Sequence, residues 1–151
     1  MLNSSKTSHY ALRALMYLAR SKGMPYVNPV RNIKDTENKS KISNWVKIEE
    51  VARNEDIPRN YLSKIFQILI KNGMADSCLG PNGGVRLSAD SHRISVADVL
   101  TVIDGKINQE DCALFGYKRC PELVSCPIQN ECQNVRKKLW DKLKKVTLNK
   151  L

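Results

Sequence analysis

KIEEVARNEDIPRNYLSKIFQILIKNGM, residues 47–74, is the stretch that decides the fold. Ile48, Val51 and Ala52 fall on one side of a short helix that ends in a turn over 54–58. A second helix over 59–72 then lines up Leu62, Ile65, Phe66 and Leu69 on a single apolar face. Pro58 stands where that helix begins, a place that tolerates a missing N–H. Gly73 follows its end, where a left-handed residue is often needed. Two short helices joined by a tight turn, with Val51, Ile57 and Leu62 inward, make a helix-turn-helix. Helix pairs also occur in proteins that never touch DNA, so the flanking segments must narrow the reading.

Downstream, 75–78 reads as a strand, Gly80-Pro81-Asn82-Gly83-Gly84 as a turn, and 85–87 as a returning strand. A hairpin directly after the second helix is the wing of a winged helix; its plain alternative is an ordinary surface hairpin. Ser95 and Asp98 form a capping box for a helix carrying Val96, Val99, Leu100 and Ile103, stopped by Gly105. A last helix from about Pro127 aligns Val135, Leu139, Leu143 and Val146 beside Trp140. Its opposite side holds Arg136, Lys137, Lys138, Lys142, Lys144 and Lys145. Such a stripe must be covered by its own domain or by the same helix of a second copy. Upstream, a helix over 8–22 repeats Ala11, Leu15 and Leu18 at helical spacing before Gly23 and Pro25. Residues 28–44, NPVRNIKDTENKSKISN, carry neither periodicity and read as a surface loop or insertion.

The chain of 151 residues suits one ordinary domain, and 42% hydrophobic residues is a globular composition. Arg13, Lys64, Gln67 and Asp98 interrupt every apolar run before it nears the roughly 18 residues of a membrane span. Residues 11–19 contain Arg13 and no small-x-small cleavage site, so a cytoplasmic protein without a membrane partner is expected. Lys and Arg total 25 against 15 Asp and Glu, a net charge of +10. That excess points to a polyanionic partner, nucleic acid or an anionic surface; its bland counterpart is solubility alone.

Five cysteines are present: Cys78, Cys112, Cys120, Cys126 and Cys132. The last four are spaced C-x7-C-x5-C-x5-C. In a reducing compartment such crowding reads as metal ligation before disulfide scaffolding. The gaps are wider than zinc knuckles and suit an iron–sulfur cluster better, with zinc and redox-active thiols as the other readings. No Cys-x-x-Cys motif or paired catalytic carboxylates occur, and 80–84 lacks the strand-loop-helix setting of a nucleotide cradle. Neither catalytic residues nor a small-molecule substrate are therefore expected.

The order of parts resembles the IscR/NsrR-type winged-helix regulators, bacterial transcription factors of which many carry an iron–sulfur cluster. The resemblance spans nearly the whole chain. It rests on HYALRALMYLA (9–19), the helix-turn-helix, SCLGPNGGVRLS (77–88), ISVADVLTVIDG (94–105), the cysteines and WDKLKKVTLNKL (140–151). It implies a mainly α fold with a small β-hairpin wing. A winged helix-turn-helix domain would span 1–105, with a loop insertion at 28–45, and a cysteine-rich cluster-binding loop 106–127. A dimerisation helix and tail would fill 128–151.

The implied function is that of a homodimeric transcriptional regulator whose binding to double-stranded DNA responds to an iron–sulfur cluster, 2Fe-2S or 4Fe-4S. The implied signals are redox state, nitric oxide or cluster supply. Members of this group place three cysteines before the dimerisation helix, which maps onto Cys112, Cys120 and Cys126. Their fourth ligand varies and can come from the partner's first helix; that position here is His9, with Gln129 and Cys132 as rivals. Arg59, Asn60, Tyr61 and Lys64 would enter the major groove, with Asn82, Gly83, Gly84 and Arg86 on the wing.

Three departures stand out. The insertion is longer than the usual link. Leu79 stands where arginine often precedes Gly-Pro, leaving Arg86 as the wing's cation, and Ser63 replaces a common acidic residue in the reading helix. A zinc-bound or metal-free thiol-sensing regulator of the same fold, and a small iron–sulfur carrier, are the alternative functions.

Overall fold

The computed structural model describes residues 5–21, 45–88, 93–106, 111–112 and 125–150. The expected insertion up to 44, Cys120 and most of the cysteine-rich loop lie outside the described residues. In chain order come α1 (Lys6–Ser21), α2 (Ile48–Glu55), α3 (Arg59–Lys71), β1 (Ala75–Cys78) and β2 (Gly84–Leu87). α4 (Val96–Asp104), α5 (Gln129–Lys145) and a short 3-10 turn (Leu148–Lys150) complete the order. The fold is mainly α with a two-stranded antiparallel wing.

α1 buries Ala11, Ala14, Leu15, Tyr17 and Leu18, and the small alanines let α3 and α4 approach closely. Its start is tied down by Ser5, whose backbone N–H and hydroxyl both reach the Asp104 carboxylate at the end of α4. A carboxylate at a helix N-terminus complements the unpaired N–H groups there.

α2 ends on Asp56 in a left-handed conformation (φ 51°), which lets the Ile57 N–H reach back to the Ala52 carbonyl at 3.0 Å. That turn drops Ile57 into the core and leaves Pro58 as the N-cap of α3. α3 buries Leu62, Ile65, Phe66 and Leu69 as their spacing predicts. Gly73 takes φ +70°, and Met74 donates to the Leu69 carbonyl at 2.9 Å, closing the helix and sending the chain into β1.

The hairpin pairs Ala75 with Leu87 and Cys78 with Gly84. A third strand-like stretch was not foreseen. Val46 exchanges both backbone hydrogen bonds with Val85, at 2.9 and 2.8 Å, so the chain leaving the loop runs along β2. No alternating pattern marked it, because a single bridge has no period.

The capping box is present in full: the Ser95 hydroxyl accepts from Asp98 N–H, and the Asp98 carboxylate accepts from Ser95 N–H. α5 starts at Gln129 and ends at Lys145, so Val146 leaves the expected stripe. It is extended (φ −90°, ψ 111°) and its carbonyl accepts from Val96 N–H at 2.9 Å. Leu148 follows into the core at 3% exposed, donating its N–H to the Ile94 carbonyl. The tail thus seals the base of α4. α5 itself buries nothing: Val135 is 63% and Leu139 40% exposed.

α1 and α2 are clamped by polar contacts. Arg13 pairs with the Glu55 carboxylate at 3.0 Å and also donates to the Glu55 carbonyl. Tyr17 donates its hydroxyl to Glu50 at 2.8 Å and accepts from Asn54 at 3.1 Å. Burial first, and then the Glu50 carboxylate that holds its proton, push the Tyr17 phenol well above its ordinary range. A phenol whose pKa is higher folded than unfolded contributes fully below about pH 10, and its contribution is lost as pH rises past that point. The melting temperature should therefore fall above pH 10, and in Tyr17→Phe it should start lower but fall less steeply. Parallel pH profiles of the two proteins would refute this.

Candidate nucleic-acid interface and thiol site

α3 carries no acidic residue. At about 100° per residue, Asn60, Lys64, Gln67 and Lys71 share one face, and all four are exposed. Arg59 and Tyr61 lie on its two flanks, each fastened to a neighbouring helix. Arg59 Nε is 2.6 Å from Glu49 of α2. The Glu49 carboxyl is held below the usual carboxylate range, first by its own backbone N–H and then by Arg59. The Tyr61 hydroxyl is 2.7 Å from Thr7 Oγ1 of α1, and its ring meets Tyr10 edge-on at 5.7 Å between centroids. Of the residues expected on the reading face, Asn60 and Lys64 stand in its centre while Arg59 and Tyr61 are drawn aside. Gln67 and Lys71 extend the face by two turns; the i, i+4, i+7, i+11 spacing already contained that signal.

The wing's glycines answer to the fold itself. A Cβ on Gly83 would collide with the Cys78 carbonyl, and one on Gly84 with the Val46 carbonyl. Arg86 sits mid-strand, 3.2 Å from the Asp76 carboxylate, with its guanidinium 4.2 Å above the Trp45 ring. Ser88 donates to the same Asp76 at 2.6 Å. Asn82 is exposed in the turn, and Leu79 beside it is 97% exposed. The tip of the wing therefore presents an amide and a leucine, with its arginine braced lower down.

Two of the three expected triad thiols meet at α5. Cys126 precedes the helix by three residues, and its carbonyl accepts from the Gln129 N–H at 3.2 Å. Asp111, next to Cys112, offers its carbonyl to Arg136 of α5 at 3.2 Å, while the same guanidinium bonds Gln133 at 2.7 Å. Cys112, Cys126 and Cys132 are all half-buried. Cys132 lies in the first turn of α5, its N–H on the Ile128 carbonyl. Because Cys126 is outside the helix, the two are not held on opposed faces of one cylinder. Gln129 opens α5, half-buried. His9 is exposed on α1, stacked on Tyr10 at 6.2 Å. Among the described residues, no three His, Cys, Asp or Glu gather at metal-binding distance within this chain.

Residues 4–151 match the profile of the Rrf2 family, described as an iron-dependent transcriptional regulator. The chain belongs to the Rrf2 family. An HTH-type protein of Aquifex aeolicus (strain VF5) is 29% identical over 97% of this chain and 89% of its own length. The regulator IscR of Vibrio campbellii is 29% identical over 72% of this chain, a match that spans 63% of the IscR length. Among solved structures, T. potens IscR superposes with a TM-score of 0.65 at 21% identity, covering 99% of this chain and 85% of that one. CymR, the global cysteine regulator of B. subtilis, gives 0.69 at 19% identity, covering 99% and 95%.

The Rrf2 chain is a helix-turn-helix transcriptional regulator. Its winged-helix fold is the one these neighbours share. Among the described residues no helix is long and apolar enough to cross a membrane.

Proposed function

We propose that this Rrf2 chain is a cytoplasmic, homodimeric DNA-binding regulator whose operator affinity is set by an iron–sulfur cluster. The observation that supports it best is the placement of Cys112 and Cys126 at the N-terminal half of α5, in a family described as iron-dependent. The donor set suits such a group: Cys112, Cys120 and Cys126 would supply thiolates, and His9 of the second subunit an imidazole. When bound, the cluster supplies iron chemistry that responds to oxidants and nitric oxide. The protein's own residues do the rest. Asn60, Lys64, Gln67 and Lys71 face the major groove, where asparagine reads adenine and lysine reads guanine or phosphate. Arg59 and Tyr61 border that face, and Asn82, Gly83, Gly84 and Arg86 shape the wing beside it. The uncovered stripe of α5 joins the two copies.

A second reading has its own support. With Cys126 outside α5, Cys132 is free to join Cys112, Cys120 and Cys126 as four thiolates for zinc, or as oxidant-sensing thiols without metal. The likeness to a protein named as a cysteine regulator shows that this fold is not tied to one effector.

One measurement separates them. Protein purified without oxygen should be brown and contain iron with acid-labile sulfide. Cys112→Ala, Cys120→Ala and Cys126→Ala should each lose the visible absorption, whereas Cys132→Ala should keep it. Colourless protein with one zinc per chain would replace the cluster with the zinc reading. The same preparations should retard their own promoter DNA, with log affinity falling steeply against log salt as phosphates release counterions.

A further inference from the structure

The two residues that flank the reading face differ in what they are tied to. Arg59 is tied to α2, which belongs to the same helix-turn-helix and moves with it. Tyr61 is tied to the first turns of α1, the segment that carries His9. Its hydroxyl and the Thr7 hydroxyl are 2.7 Å apart. Its ring stands at 84° to that of Tyr10, which in turn stacks on His9 at 26° and receives Lys6 Nζ at 5.6 Å. Tyr61 is thus the last member of a contiguous row, His9, Tyr10, Tyr61, that ends beside Asn60 in the first turn of α3.

The rest of α3 has little freedom to respond. Leu62, Ile65, Phe66 and Leu69 are at most 1% exposed, so the body of the helix is held by close packing. Its first turn rests on Pro58, which is exposed, and on the two flanking ties. A small displacement of α1 at Thr7 and Tyr10 therefore reaches α3 at the turn that carries Asn60. The far side of α1 is anchored through Ser5 to Asp104, so its first turn moves as a body rather than fraying.

We infer that Tyr61 is a positioning residue: its contacts with Thr7 and Tyr10 transmit the liganded state of His9 to the first turn of α3 and so set operator affinity. This rests on the reading of His9 as the fourth ligand of a partner's cluster. Linkage requires that a ligand which favours one position of that turn changes DNA affinity by the same factor as DNA changes its own. Such couplings usually amount to roughly 5–150-fold.

The test compares the affinity of cluster-loaded and cluster-free dimer for the protein's own promoter DNA. In Thr7→Val the hydroxyl partner of Tyr61 is removed from a residue outside the reading face. Cluster absorption and iron per chain should match wild type, and the loaded-to-free affinity ratio should shrink several-fold toward one. Tyr61→Phe, which keeps the ring on Tyr10, should shrink it similarly, and Tyr10→Leu should shrink it further. An unchanged ratio in Thr7→Val and Tyr61→Phe with the cluster intact overturns the coupling and leaves the cluster reading standing. A Tyr61→Phe protein whose two affinities fall equally makes Tyr61 an ordinary DNA contact, which also overturns it. Colourless wild-type protein removes the cluster reading itself, and the coupling with it, before any variant is made.

Discussion

Placing aspartates at Val135 and Leu139 together is expected to convert a dimer into monomers and to weaken operator binding by roughly 10²–10⁴-fold, the usual loss when two linked contacts become one. The two side chains lie about 40° apart on α5 and are 63% and 40% exposed, along with Ile128 at 46% just before the helix. Burying each in a second copy would contribute about 1.5–3 kcal/mol, and a charge placed there forfeits that and adds a desolvation penalty. The opposite face, with Lys137, Lys138, Lys142 and Lys145, offers no comparable gain and is well suited to water. The substitutions leave the winged helix intact, because α5 contributes no buried residue to its core. Sedimentation should report half the mass while the far-UV dichroism stays unchanged. A dimer that persists, or a monomer that binds its operator as tightly as wild type, would remove α5 from the interface.

Phe66→Ala is the substitution expected to cost most in stability. Phe66 is 1% exposed at the middle of α3 and is among the largest fully buried side chains described. It belongs to the same core as Leu15 and Leu18 of α1, Val51 of α2 and Leu87 of the wing. Truncating a buried phenylalanine costs about 3–5 kcal/mol through lost transfer energy and an incompletely collapsed cavity. Against a total of about 5–15 kcal/mol for an ordinary domain, that is a large share. Urea titration should move the midpoint down sharply with the slope unchanged. A shift of less than about 1 kcal/mol would mean that the core around α3 repacks far more readily than close packing allows. DNA binding should fail in parallel at temperatures where the variant is partly unfolded.

Both predictions come from patterns visible along the chain. The core of the helix-turn-helix was legible because α2 and α3 are amphipathic, and the period of an amphipathic helix is printed in the order of its residues. Pro58, Gly73, Ser95, Asp98 and Gly105 were legible for a related reason: each acts on backbone groups within a few positions of itself. The hairpin followed from the glycines between its strands. The thiols were legible as a cluster of ligands, since four cysteines in so short a segment are a chemical statement before folding. The resemblance to a family of regulators, carried by the same residues, is borne out by the match over residues 4–151.

Other features were decided only when distant segments met. Val46 pairs with Val85, and Trp45 carries Arg86, across a separation of about forty positions that no local period records. That pairing turns Gly84 from a supposed point of DNA approach into a position where a side chain would strike the Val46 carbonyl. Val146 looked like the last rung of the α5 stripe, yet the helix ends one residue earlier and Val146 bonds the start of α4 instead. Arg59 and Tyr61 looked equivalent to Asn60 on the reading helix; only the arrival of Glu49 and Thr7 beside them draws them to its flanks.

The sequence by itself therefore determined which residues are apolar, where helices begin and end, and which side chains carry ligand chemistry. These are local matters of period, capping and residue type. Only the tertiary structure decided which polar side chains are already engaged and which remain turned outward. That depends on pairings across long stretches of chain, such as Thr7 with Tyr61 and Asp111 with Arg136. Neither partner of such a pair carries any mark of the other until the core brings them together.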